Sequence, residues 1–103
     1  MNTPQKLLIA GVLGTSIALA SIQGIKPSFT TIHLTWDASP DGKTYNLYVG
    51  NNPHEYTTCI HLGGVAKAVF KVPHNSETYY FAVTAVDGFL ESEKSNEVFF
   101  RSP

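Results

Sequence analysis

The stretch Thr78–Asp87 constrains this chain more than any other. Tyr79, Phe81, Val83 and Ala85 fall at every second position, with Tyr80, Ala82 and Thr84 between them. A strand turns successive side chains to opposite faces, so this period predicts a strand with one well-buried face. Tyr, Phe, Val and Thr also suit a pleated, half-buried surface. The stretch is expected to be the central strand of an all-β domain.

Other segments repeat the pattern. Residues 30–36 alternate, with Ile32, Leu34 and Trp36 on one face and Thr31, His33 and Thr35 on the other. In Thr44–Gly50 the inward set is Tyr45, Leu47 and Val49. Residues 56–62 and 65–72 read as weaker strands, with Ala68 and Phe70 inward in the second. Residues 96–101 read as the closing strand. The breaks between them carry turn formers: Asp37, Ser39, Pro40, Asp41 and Gly42, then Asn51, Asn52 and Pro53, then Gly63 and Gly64. Six or seven short strands at this spacing predict a β-sandwich.

The N-terminus has a different composition. Lys6 precedes residues 7–20, which are apolar or small and end in Ala18-Leu19-Ala20, the small-x-small pattern of a signal-peptidase site. The run is shorter than the roughly 20 residues a membrane-crossing helix needs. Residues 1–20 are therefore expected to form an N-terminal hydrophobic helix, either a signal peptide or a retained membrane anchor. Residues 21–29, with Gly24 and Pro27, are a linker or a very short first strand, and residues 30–101 form the domain. Expected locations are the periplasm, the exterior or a virion, or alternatively the inner membrane, contacted through residues 7–22. The chain of 103 residues has room for one domain. Its formal charge of −1, with scattered lysines, gives no field suited to nucleic acid. With one cysteine, Cys59, no intrachain disulfide can form.

Residues 30–100 resemble a fibronectin type III domain of the kind common in bacterial and phage proteins. Leu34-Thr35-Trp36-Asp37-Ala38-Ser39-Pro40-Asp41 is similar to the second strand and the loop after it. Tyr45-Asn46-Leu47-Tyr48-Val49-Gly50 is similar to the third strand. Thr78–Asp87 is similar to the sixth, with Tyr79 at the tyrosine-corner position, and Glu91-Ser92 with Ser95-Asn96-Glu97-Val98 is similar to the approach to the seventh. The resemblance implies a two-sheet Greek-key sandwich, its first strand short or missing, with Trp36 buried against Tyr45, Leu47, Phe70 and Phe81. Tyr79 joins that core. Pro73-His74-Asn75-Ser76-Glu77 departs from the family's usual residues before the corner tyrosine.

Chemistry-bearing residues are few. His33, His54, His61 and His74 fall at no metal-ligand spacing and no cysteine pair supports them, so no metal or other cofactor is expected. Asp37 and Asp41 suit an Asx turn better than a calcium loop. Cys59 and His61 share a strand face two residues apart, a conceivable thiol–imidazole pair, although a packed strand cysteine is the plainer reading. Binding residues are Phe89 and Leu90, adjacent in the loop after the central strand, and Tyr48 and Tyr80, outward on neighbouring strands. Each pair also has a structural reading: one loop residue folded over the sandwich end, or aromatic cross-strand packing. The expected function is that of an exported, non-catalytic binding or structural module, such as a small bacterial surface or phage virion protein. Its partner would be another protein or a surface glycan, or further subunits. A membrane-tethered module is the alternative, and an enzyme using Cys59 and His61 the remote one.

Overall fold

A computed structural model describes residues 5–13, 28–40 and 42–103. It contains eight strands: β1 (Gln5–Leu13), β2 (Phe29–Asp37), β3 (Thr44–Gly50), β4 (Thr58–Leu62), β5 (Lys67–Pro73), β6 (Thr78–Asp87), β7 (Leu90–Glu91) and β8 (Val98–Arg101). All pairings are antiparallel. One sheet has the order β1-β2-β5; the other runs β4-β3-β6, with β7 and β8 both on the far edge of β6.

The two sheets form a sandwich because their alternating residues share one core. Ile32, Leu34 and Trp36 of β2 and Val72 of β5 meet Tyr45, Leu47 and Val49 of β3 and Tyr79, Phe81, Val83 and Ala85 of β6. Phe70 packs against them, half-buried. Two edge-to-face ring pairs tie the layers together: Trp36 on Tyr45 at 5.3 Å and Phe70 on Phe81 at 5.4 Å. Such pairs contribute about 0.5–1.5 kcal/mol each beyond burial of their area.

The central strand is more enclosed than its period implies. Ala82 and Thr84, on its outward face, are 0% and 1% exposed. Hydrogen bonds run along both its edges, to β3 on one and to the 90–101 segment on the other. That segment is irregular in the middle. Phe81 pairs with Val98 and Val86 with Glu91, so a step of five residues on β6 faces a step of seven on its partner. Two serines absorb the excess. The backbone N–H of Ser92 donates to Ala85 O while Ser92 Oγ accepts from Ala85 N, both at 2.9 Å. Ser95 repeats this with Val83, at 2.9 and 3.0 Å.

The N-terminal expectation needs correction. Gln5–Leu13 is not helical but forms the first strand, which is neither short nor missing. Among the described residues no helix is long and apolar enough to cross a membrane. The remainder of the expected helix and most of the linker, residues 14–27, lie outside the described residues. An apolar run without clear period suits a helix and a buried strand equally, and the sandwich decides between them here. Leu7 enters the core with no exposure at all.

Trp36 is 5% exposed and its Nε1 has no hydrogen-bond partner among the described residues. Trp36→Ala is expected to lower the unfolding free energy by about 3–5 kcal/mol, read from the urea midpoint at unchanged slope. Trp36→Phe is expected to cost less, because it keeps a ring against Tyr45 and removes a donor that pairs with nothing. An unchanged midpoint in Trp36→Ala would place the core elsewhere.

Candidate binding surface

The outward face of the five-stranded sheet carries a polar network built by register. Asn46 of β3 lies opposite Thr84 of β6 and His61 of β4, and Tyr48 lies opposite Ala82 and Cys59. Glu91 of β7 reaches onto this face. Its Oε2 accepts from Thr84 Oγ1 at 2.6 Å, from Asn46 Nδ2 at 3.3 Å and from the Tyr48 hydroxyl. Asn46 Oδ1 in turn lies 2.7 Å from His61 Nδ1.

Beside this network is an aromatic one. Tyr48 and Tyr56 stand 6.0 Å apart, and the Lys94 ammonium lies 4.5 Å from the first ring and 5.8 Å from the second. Tyr56 donates to Glu97 Oε1 at 2.5 Å, and the same oxygen accepts from His54 N at 2.8 Å. The turn bearing His54 crosses directly over Gly50, where a Cβ would come within 1.9 Å of the Glu55 carbonyl oxygen. Glycine is required there for the turn to lie down. His54 itself takes the left-handed region, at φ 59°.

These contacts fix charges. Donation from Thr84 and then from Tyr48 holds the Glu91 carboxyl below its ordinary value; partial burial opposes this, and Asn46 and Lys94 add to it. The Tyr48 hydroxyl is pushed up to about 12, chiefly because its proton is held by Glu91, with burial and the neighbouring Cys59 contributing. Tyr56 is raised as well, first by burial and then by Glu97.

The residues named from sequence are distributed as follows. Tyr48 belongs to the Glu91 network. Tyr80 is half-buried on the same face but pairs with Phe99 of β8, at 6.0 Å, rather than with Tyr48. Phe89 stands at the tip of the β6–β7 hairpin and Leu90 opens β7 beside it, at 108% and 64% exposure, and neither folds back over the sandwich end. Gly88 takes φ +62° at the first central position of this two-residue turn, as a II′ hairpin requires. Trp36, Tyr45, Leu47, Tyr79 and Phe81 are buried. The Tyr79 hydroxyl accepts from Asn75 Nδ2 at 2.7 Å, so an asparagine side chain serves the corner.

Cys59 is exposed on the outer edge strand rather than packed, because its side of β4 faces away from the core. His61 bonds Asn46, His74 Nε2 lies 2.7 Å from Thr30 Oγ1, and His33 is on the other sheet. The described residues hold no group of three His, Cys, Asp or Glu side chains placed for a metal. Asp37 is exposed at the end of β2, and Asp41 lies outside the described residues. Asn46, Thr84, Glu91, Lys94 and Glu97 were not foreseen. For Asn46 and Thr84 the sequence signal is a polar residue at an outward position of an otherwise apolar strand; Glu91, Lys94 and Glu97 lie in or beside the irregular 90–97 segment and carry none.

No protein-family description matches this sequence, and no curated protein does. Solved structures do match. A Fn3-like protein from Clostridium thermocellum superposes with a TM-score of 0.66 at 21% identity, over 99% of this chain and 93% of that one. The fold is fibronectin type III-like. The fn3 domain of the human collagen alpha-1(XX) chain gives 0.66 at 19% identity, over 99% and 85%. A myokine structure gives 0.66 at 12%, over 97% and 95%. In this fibronectin type III-like sandwich the network lies on the outer face of the β4-β3-β6 sheet, and the hairpin tip stands at one end.

An alkaline titration followed by tyrosinate absorbance checks the network. Tyr48 is expected to ionise near pH 12, not near 10, and Glu91→Gln is expected to bring it back toward 10. Because the folded value is raised, the stability that Tyr48 contributes is present below pH 10 and lost as pH rises toward 12. A Tyr48 midpoint unaffected by Glu91→Gln would break the assignment.

Proposed function

We propose that this chain is an exported, non-catalytic recognition module that meets another protein through the tip of its β6–β7 hairpin, on a bacterial surface or a phage particle. The observation that carries this reading is Phe89, wholly exposed beside Leu90 on a closed turn. Burying a side chain of this kind contributes about 1.5–3 kcal/mol. A two-residue hairpin is already ordered, so little of that gain is spent on fixing it. Adjacent apolar residues on such a support behave as interface anchors.

The non-catalytic part of the reading rests on fold likeness and on placement. Cys59 and His61 lie on an exposed edge strand, while a hollow of about 470 Å³ sits on the opposite sheet, between His33, Val65 and Val69. Export is supported by Lys6, the apolar residues 7–20 and the Ala18-Leu19-Ala20 pattern.

Phe89→Ala with Leu90→Ala is expected to weaken partner binding at least about 100-fold, since two such anchors together contribute about 3–6 kcal/mol. The thermal midpoint should not fall, because neither side chain touches the core. Wild-type affinity in a folded double variant would refute the hairpin reading. Export is checked separately by fractionating cells that make the full chain: recovery outside the cytoplasm is expected, and recovery in the cytoplasm alone would refute export.

A further inference from the structure

Among the described residues, β1 is the strand whose backbone is read by a carboxamide at both its donor and its acceptor. Asn96, on the approach to β8, presents its carboxamide to the backbone of Leu7. Leu7 N donates to Asn96 Oδ1 at 2.9 Å, and Asn96 Nδ2 donates to Leu7 O at 3.1 Å. One side chain thus reads the donor and acceptor of a single residue, as a neighbouring strand would. The Leu7 side chain meanwhile fills a place in the core with 0% exposure.

The rest of the β1 ladder is looser. Its pairing with β2 has register breaks between Gln5 and Leu8 and between Ile9 and Gly11. The β2–β5 ladder runs from Phe29–Pro73 to Thr35–Lys67 with no break. Residues 14–28, fifteen in number, separate the two strands in sequence. At about 3.3–3.6 Å per residue such a connection reaches on the order of 50 Å, so its length does not dictate which copy's β1 fills the edge.

We propose that the β2 edge and Asn96 form a strand-acceptor slot whose ligand is an extended apolar segment of this chain's own sequence, Gln5–Leu13, exchangeable with that of a second copy. The backbone contacts are indifferent to whose segment it is, and the buried leucine supplies the selectivity, as in other strand-addition sites. Segment exchange between copies keeps every contact and changes only the connection. The slot is independent of the hairpin tip, so either reading can fail alone.

The test uses the full chain and a labelled synthetic peptide with the sequence of Gln5–Leu13. In a Leu7→Asp chain the internal segment no longer competes, and the peptide is expected to bind at least about tenfold more tightly than to wild type. Adding Asn96→Ala is expected to weaken the peptide about tenfold, since it removes two hydrogen bonds. A peptide carrying Leu7→Asp should not bind. If the Leu7→Asp chain does not unfold cooperatively by itself, the wild-type peptide is expected to restore a cooperative transition. A folded Leu7→Asp chain that ignores the peptide, or an unfolded one that the peptide fails to rescue, would overturn the slot. So would equal binding with and without Asn96.

Discussion

The enclosure of β6 is the constraint on which the rest depends. A strand bonded along both edges and covered on both faces has no solvent to satisfy a polar side chain. Its sequence must then be apolar, or each polar group must meet a partner. Thr84 is the exception within it, and its hydroxyl donates to Glu91. Glu91 of β7, whose backbone pairs with the edge of β6, meets it by laying its side chain onto the outward face. The hairpin between β6 and β7 is tight, which leaves Phe89 at its tip and Leu90 beside it with nothing to fold onto.

Between β7 and β8 the chain replaces backbone pairing with side-chain pairing. Ser92 and Ser95 each offer a hydroxyl where a strand would offer a carbonyl, and Asn96 turns the other way to offer both groups to β1. The segment therefore stays attached to β6 despite its two surplus residues. It also bonds the edge of the second sheet to the β1 edge of the first. Glu97, next in the chain, holds Tyr56 and His54 and so anchors the turn that covers Gly50. Short polar residues at 92–97 do the work that a regular seventh strand would otherwise do.

The period of two made β3 and β6 legible to the residue, since each buries a complete alternating face and a one-residue slip would expose it. It was less informative about β4 and β5, whose half-exposed residues give a weak pattern. Trp36 against Tyr45 followed from the family resemblance, not from spacing. The Glu91 network was illegible because its members, Asn46, Thr84 and Glu91, are joined only by sheet register, and each looks like an ordinary surface residue when read alone. Exposure of Phe89 was equally hidden: a two-residue turn and a loop that folds back share one composition. Serine and asparagine in a loop likewise suggest a turn, not substitutes for a strand.

The N-terminal segment shows why composition did not separate a helix from a strand. An export signal needs an uninterrupted apolar stretch, and the edge of a sandwich needs apolar residues on one face only. Leu7, Leu8 and Ile9 are apolar at both parities and so meet both demands. What composition cannot contain is the partner, which lies 89 positions away in Asn96. Truncating a buried leucine to alanine costs about 2–5 kcal/mol through lost transfer energy and the void left behind. In a domain with no disulfide this is a large share of a net stability of about 5–15 kcal/mol. A chain that discards this segment must either tolerate the opening beside Trp36's sheet or refill it. The backbone-reading carboxamide is the feature suited to refilling it.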